Sequence, residues 1–257
     1  MNNDTLAIVT GASQGIGRAT ALRLARDFHT LVLVARQRER LEDTAAAVRR
    51  EGARALVIDR DLSEPDAASH VVDAALAAHG RIDAVLNIAG AVPQVDLFEM
   101  TDEQWDAGIA LKLHGARRLT MRAWDALKAS GGAVVLTSGN SATVPKAPYA
   151  AVGTINAAIV ALAKAFAERG TKDGVQVNSV LPGPVMTDRR RTYLETWATA
   201  HDMSTESATR TFLAQAGIGR YGTPEDIAEL MAFLVSPAAR WLTGAQLRMD
   251  GGEVQAI

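Results

Sequence analysis

The sequence contains no cysteine, so disulfides, thiolate nucleophiles and Cys-ligated zinc or iron–sulfur clusters are all excluded. Aromatic residues are scarce, at 5% of the chain, and the five histidines (His29, His70, His79, His114 and His201) are scattered without HExxH or comparable spacing. A histidine-based metal site is therefore not expected. Neither sign of charge dominates. The 27 Lys and Arg face 29 Asp and Glu, a net charge of −2, which removes the electrostatic case for DNA, RNA or an anionic membrane as partner. The opening segment MNNDTLAIVTG shows no basic, cleavable leader pattern. The most apolar run, Ala157–Ala167, carries Lys164 and is too short to span a bilayer. The expectation is a soluble, cytoplasmic protein.

What is present is a chain of 257 residues, 48% hydrophobic, long enough to bury a substantial core. Short β-branched apolar runs recur at Leu6–Thr10, Leu31–Ala35, Ala55–Ile58, Ala84–Ala89, Ala133–Thr137, Val175–Leu181 and Ala245–Met249. Most lack polar alternation, as strands buried on both faces do. Ala-rich helical patterns separate them: Ile16–Asp27, Arg38–Glu51, Pro65–Ala78, Asp102–Ala129, Ala150–Arg169 and Pro224–Leu234. Alternating β and α units predict an α/β fold with a parallel sheet and helices on both faces. No linker or repeat interrupts the chain, so residues 1–257 read as one domain. The polar stretch 188–215, between the last two strands, reads as a helical flap.

The first strand empties into Thr10-Gly11-Ala12-Ser13-Gln14-Gly15-Ile16-Gly17, and a helix follows at once. Glycines there permit a tight turn and let backbone N–H groups approach a pyrophosphate, to which the helix N-terminus adds its own donors. A bare strand-to-helix turn is the alternative, but the position after the first strand favours the phosphate cradle. The second strand ends in Ala35-Arg36-Gln37-Arg38. No acid stands there to take a ribose 2′-hydroxyl, and Arg36 suits a 2′-phosphate, so NADP(H) is favoured over NAD(H). Asp61 either accepts from an adenine amino group or caps the helix that begins near Pro65.

The ordered set Thr10-Gly-x-x-x-Gly-Ile-Gly17, Asp61-Leu62, Asn87-Ile88-Ala89-Gly90, Asn178-Ser179 and Pro182-Gly183-x-x-x-Thr187 resembles the short-chain dehydrogenase/reductases. Arg220-x-Gly-x-Pro224-Glu-Asp-Ile-Ala228 and Asp250-Gly251-Gly252 extend the resemblance over nearly the whole chain. It implies a single-domain Rossmann fold with a doubly wound, seven-stranded sheet, a nicotinamide cofactor, a small carbonyl or alcohol substrate, and a homotetramer or dimer. The glycine turn, the strand ends and the resemblance together make Gly11, Ser13, Gln14, Gly15, Ile16, Gly17, Arg36, Asp61, Leu62, Asn87, Ala89 and Gly90 the candidate cofactor-binding residues, Asn87 and Gly90 by the resemblance. By the same resemblance Pro182, Gly183, Val185 and Thr187 hold the cofactor's nicotinamide amide.

The family's chemistry rests on Asn, Ser and Tyr-x-x-x-Lys, and here the pattern departs. Alignment from the flanks puts Asn156 at the Lys position, Val152 at the Tyr, Gly139 at the Ser and Lys112 at the Asn. Valine has no ionisable proton and glycine no side-chain donor, so the ordinary acid–base route is lost. Asn156 and Lys112 look like a reciprocal exchange. Tyr149 lies three residues before Val152, one turn away if the helix has already begun. A relocated site follows as an expectation, with Tyr149 as proton donor, Lys112 as its electrostatic partner and Ser138 or Ser141 orienting substrate. The plainer alternative has Lys112 reaching solvent and Tyr149 packing against the flap. Three functional readings stay open: an NADP(H)-dependent oxidoreductase with a non-standard site, a non-catalytic NADP(H)-binding sensor or partner subunit, and non-redox chemistry in the same cleft.

Overall fold

The computed structural model describes residues 4–255. The opening residues 1–3, part of the leader reading, lie outside the described residues. Seven parallel strands form one sheet in the order β3-β2-β1-β4-β5-β6-β7: β1 Leu6–Thr10, β2 Thr30–Ala35, β3 Arg54–Asp59, β4 Ala84–Asn87, β5 Ala133–Thr137, β6 Gln176–Pro182 and β7 Gln246–Met249. The order reverses at β1, so the crevice between the ends of β1 and β4 is where such a sheet binds ligands. β4 stops two residues short of the expected Ala89. The N–H groups of Ile88 and Ala89 turn instead to Thr10 Oγ1, at 2.8 and 2.9 Å.

Successive β1 residues feed opposite faces of the sheet, as period-two geometry requires. Leu6 and Ile8 join a core with Val71, Leu119 and Ile159, contributed by α3 (Ala67–His79), α5 (Gly115–Ser130) and α6 (Ala150–Asp173). On the other face Ala7 and Val9 pack with Leu24, Leu41 and Met231. Those come from α1 (Gly15–Leu24), α2 (Arg38–Arg50) and α9 (Pro224–Leu234).

The expected continuous helix Asp102–Ala129 is broken. α4 (Asp102–Gly108) passes into a π-helical segment, Ile109–His114, before α5 begins. The wider turn of a π segment displaces side chains from the α-helical face, and such segments concentrate at functional sites. Gly108 and Gly115 bracket the break. A β-carbon on Gly115 would come within 2.9 Å of the Leu62 carbonyl oxygen, so neither flank tolerates a bulkier residue easily.

Two further expectations change. α6 runs on past Arg169 to Asp173, where Gly174 closes it in the left-handed conformation. The helical stretch Ala147–Asp173 is long and apolar enough to cross a membrane by length and composition. In the fold, however, Ile155, Ile159, Ala163 and Ala167 are buried, the last three in the core beneath the sheet. The stretch 188–215 forms two helices, α7 (Asp188–Ala200) and α8 (Thr205–Ala216), with a small apolar core of their own around Leu194, Ala208 and Tyr221.

Polar side chains, rather than more apolar ones, fasten the last strand region. Gln176 Nε2 donates to the carbonyls of Leu234, Ala239 and Leu242 at 3.1, 2.8 and 2.9 Å, the first two away from water and the third partly so. Asn178 bridges the Leu242 carbonyl and the Ala245 N–H. Thr223 and Asp226 form a capping box at the start of α9, and Arg220 bonds the same carboxylate at 2.7 Å. That contact accounts for the spacing of the Arg220–Asp226 motif and holds the Asp226 pKa down at about 2. Replacing Gln176 by Met removes the shared donor from three carbonyls. It is expected to lower unfolding free energy by about 3 kcal/mol, read as a reduced urea midpoint with an unchanged m-value.

Candidate active site

A cleft of about 540 Å³ runs along the carboxyl ends of β1, β4, β5 and β6. At its centre is the glycine turn. Gly11 and Gly15 adopt left-handed φ angles of 67° and 54°, and a β-carbon on Gly17 would lie 2.1 Å from the Gly11 oxygen. These glycines allow α1 to start hard against β1. The side chain of Gln14, the residue before α1, caps nothing, and the first turn carries no acid. α4, α7, α8 and α9 each have a Thr or Ser cap, whereas α2, α3 and α6, like α1, have no side-chain cap; of these, α1 is the one that starts from the glycine turn, with Gly15, Ile16 and Gly17 at the cleft wall. The first-turn N–H groups of α1 thus keep free donors and the positive end of the helix dipole at the cleft, a fit for a pyrophosphate. Ser13, Gln14 and Ile16 line the same wall.

At one end the walls are basic. Arg36, 65% exposed, follows β2 and stands 3.7 Å from the Asp61 carboxylate. Arg40 and Arg60 line the cleft beside it. Neither was anticipated from the sequence, although both were accessible there. Arg40 is four residues on from Arg36, and the pairing of Ala35 with Asp59 makes Arg36 and Arg60 neighbours at adjacent strand ends. Arg40 also bonds Gln14, linking this end to the phosphate turn. Asp61 does not cap the helix, which starts only at Ala67 with Asp66 before it; its Oδ1 instead closes a turn, accepting from the Ser63 N–H and hydroxyl at 3.0 and 2.8 Å. Burial disfavours its charge, but those bonds and Arg36 outweigh it and hold its pKa below the ordinary value. Leu62 lines the cleft next to it.

Ala89, Gly90, Pro182, Gly183 and Thr187 also reach the cleft wall. Asn87 and Val185 do not. Asn87 is buried and donates to Thr120 Oγ1 at 3.1 Å, tying β4 to α5. Val185 pairs with Gly222 in an isolated bridge and packs against the core. It anchors the segment from below rather than touching the cavity. Thr187 caps α7 through the Arg190 N–H and sits against Gly15.

Lys112, Gly139, Val152 and Asn156, the positions singled out in the sequence, converge at the inner end. Lys112, on the π segment, lays its aliphatic stem over Gly90, where a β-carbon would meet Lys112 Cδ at 3.0 Å. Its Nζ donates to the Ser138 carbonyl at 3.2 Å and to Asn156 Oδ1. Asn156 Nδ2 donates onward to Ser141 Oγ at 2.8 Å, and Ser138 Oγ donates to the Asn156 carbonyl at 2.8 Å. Gly139 belongs to the same arrangement, because a β-carbon there would be 2.8 Å from Asn156 Nδ2. Lys112, Ser138, Val152 and Asn156 all line the cleft. An ammonium has three N–H donors, so two bonds leave Lys112 one for the cavity. Among the described residues no carboxylate pairs with it, and burial pushes its pKa down to about 8.

Tyr149 is not brought into this cluster. The chain at Ala147–Tyr149 is a 3-10 turn and α6 starts only at Ala150, so the single helical face assumed for Tyr149 and Val152 does not exist. Tyr149 is 37% exposed and off the cleft wall. The basic run at 189–191 divides similarly. Arg189 lines the cleft, whereas Arg190 is held among the rings of Tyr193, Phe212 and Tyr221, 5.1 to 5.3 Å from their centres. Trp197 and Phe212 pack edge to face within the α7–α8 core, which anchors the flap.

Comparison with known proteins identifies this architecture. The family model for enoyl-(acyl carrier protein) reductase matches residues 11–253. The short-chain reductase protein NovJ of Streptomyces niveus is 31% identical over 252 residues, covering 98% of this chain and 95% of its own. The cis-4-hydroxycyclohexanecarboxylate dehydrogenase of Sinomonas cyclohexanicum is 33% identical over 251 residues, at 97% and 96% coverage. The crystal structure of L-sorbose reductase from Gluconobacter frateurii, complexed with NADPH and L-sorbose, superposes with a TM-score of 0.95 at 27% identity, covering 99% of this chain and 98% of that one. The chain belongs to the short-chain dehydrogenase/reductases. It has their Rossmann fold and is an oxidoreductase by type.

The unpaired ammonium gives a pH signature. Its folded pKa of about 8 lies below the ordinary 10.5. Between those values the unfolded chain binds the extra proton, so stability contributed by this group rises with pH and is flat below the window. Wild-type protein is expected to gain on Lys112→Met from about pH 8 upward, checked by urea midpoints of both proteins inside and below that range.

Proposed function

We propose that this chain is an NADP(H)-dependent short-chain reductase, acting on a small ketone or its alcohol, in which Lys112 takes over the proton chemistry from the family's tyrosine. The observation that carries the reading is the Lys112 ammonium at the cleft wall, bonded only to neutral oxygens and left with one free donor. Its pKa of about 8 keeps it mostly protonated yet ready to donate near neutral pH. A bound reduced nicotinamide supplies the hydride for the carbonyl carbon. Lys112 Nζ holds the proton for the carbonyl oxygen, and solvent restores it afterward. Asn156 keeps the ammonium from swinging away, and Ser141, which lies off the cleft wall, holds the Asn156 amide by accepting from its Nδ2 at 2.8 Å rather than orienting substrate. Ser138 positions Asn156 from the backbone side.

On this reading the Asn, Ser, Tyr and Lys of the family are replaced as a set by Lys112, Gly139, Val152 and Asn156. Sterics support treating them together, since the space a Ser side chain would need at Gly139 is taken by the Asn156 amide. Arg36, with Arg40 and Arg60, supports NADP(H) over NAD(H), because forked guanidinium contacts suit a 2′-phosphate. The α7–α8 unit serves as the substrate flap and brings Arg189 to the cavity. The Ala-rich α5 and α6 suit close packing between copies, in a cytoplasmic homodimer or homotetramer.

The direct test is a paired titration with NADPH and NADH, followed by loss of nicotinamide absorbance with a panel of carbonyl compounds. NADPH is expected to bind more tightly, and Arg36→Ala to weaken it about 10- to 100-fold with little effect on NADH. Lys112→Met is expected to lower kcat/KM by ~10²–10⁴ while leaving NADPH affinity nearly unchanged. Wild-type reduction falls as pH rises through about 8, as Lys112 loses its proton. Tyr149→Phe is expected to retain activity within about two-fold, well below what loss of a general acid costs. A large loss there would return the proton to Tyr149. Tight NADPH binding without turnover would instead make the protein a non-catalytic sensor or partner subunit, and substrate conversion with no change in cofactor redox state would make the chemistry non-redox.

A further inference from the structure

At the opposite end of the sheet from the cleft, three residues far apart in sequence come together. Asp4 lies two residues before the start of β1, His29 precedes β2, and His79 is the last residue of α3. One ligand atom from each lies within 4.8 Å of the other two. The His79 side chain is only 7% exposed, and its Nε2 is 3.1 Å from Asp4 Oδ1. Despite that approach, Nε2 makes no hydrogen bond. The two atoms are close but not aligned for a proton between them.

That geometry suits two ligands of one ion. With bonds of about 2.0–2.2 Å in tetrahedral coordination, ligand atoms lie roughly 3.3 Å apart. The His29 ring faces His79 at 5.7 Å between centres, so a modest rotation brings its nitrogen into the same shell. Thr30 Oγ1, 3.4 Å from His29 Nδ1, accepts from that nitrogen in the tautomer that frees Nε2 for a metal. The opposing influence is Arg81, whose guanidinium feels the Asp4 charge. It is already engaged by both oxygens of Asp83, at 3.0 and 2.5 Å. We propose that Asp4, His29 and His79 form a binding site for a divalent transition ion of the zinc class, completed by water. A site built on the strand entrances, away from the cleft, clips the start of β1 to β2 and α3 and acts on stability rather than chemistry.

The test uses tag-free, metal-stripped protein titrated with Zn²⁺ by calorimetry and with Co²⁺ by visible absorption. One ion per chain is expected, with a rise in thermal midpoint. His29→Ala and His79→Ala are each expected to weaken binding at least ~10-fold, and Asp4→Asn by less, in line with the loss of single ligands. Circular dichroism checks each variant, and where alanine perturbs the fold, glutamine at the same position replaces it. Absence of Zn²⁺ or Co²⁺ binding by wild-type protein overturns the proposal, as does binding that survives the double replacement of His29 and His79.

Discussion

An ammonium that has no carboxylate partner among the described residues organises the inner end of this cleft. Lys112 is held by one carbonyl and one amide oxygen, and everything around it accommodates that choice. Gly90 is bare so that the lysine stem can cross it, and Gly139 is bare so that the Asn156 amide can reach it. The π segment sets where the side chain leaves its helix. A lysine so placed costs desolvation, visible in its lowered pKa, and neutral acceptors return only part of that cost. On the proposed reading, that cost is the counterpart of keeping the group for proton transfer.

The rest of the molecule holds this point still relative to the phosphate turn. Thr10 ties the end of β1 to the end of β4, and Ser138, on the other side, donates to the first turns of α6. Arg40, reaching Gln14, connects the basic end to the same turn. The cleft thus has the glycine turn and the uncapped start of α1 in its middle, a basic outer end and a lysine at the inner end. The α7–α8 unit packs through a small core that Met186 and Tyr221, from the segments on either side, join to the rest of the chain.

Much of this was readable from residue order. Unalternated apolar strands separated by Ala-rich helices are how a doubly covered parallel sheet must look, and the glycine turn declares its position by following the first strand. The sequence also singled out Lys112 and Asn156 as a pair, and the two side chains do meet. What was not legible depended on local departures from regular helices. A π segment has no simple sequence signature, so Asp102–Ala129 read as one helix. Tyr149 was credited to a helix that starts one residue later. The Asp4, His29 and His79 cluster was invisible because scattered spacing says nothing about residues that meet at the entrances of neighbouring strands. Asn87 illustrates a further limit, since a motif residue can serve packing rather than the cleft it borders.

The most direct test of the central claim is chemical rescue. Lys112→Ala, saturated with NADPH, is assayed for carbonyl reduction with and without added methylammonium. If the ammonium at this position carries the proton, the variant is nearly inactive, and the small amine restores turnover with a pH dependence that follows its own ionisation. Full activity in the unsupplemented variant would contradict that role for Lys112.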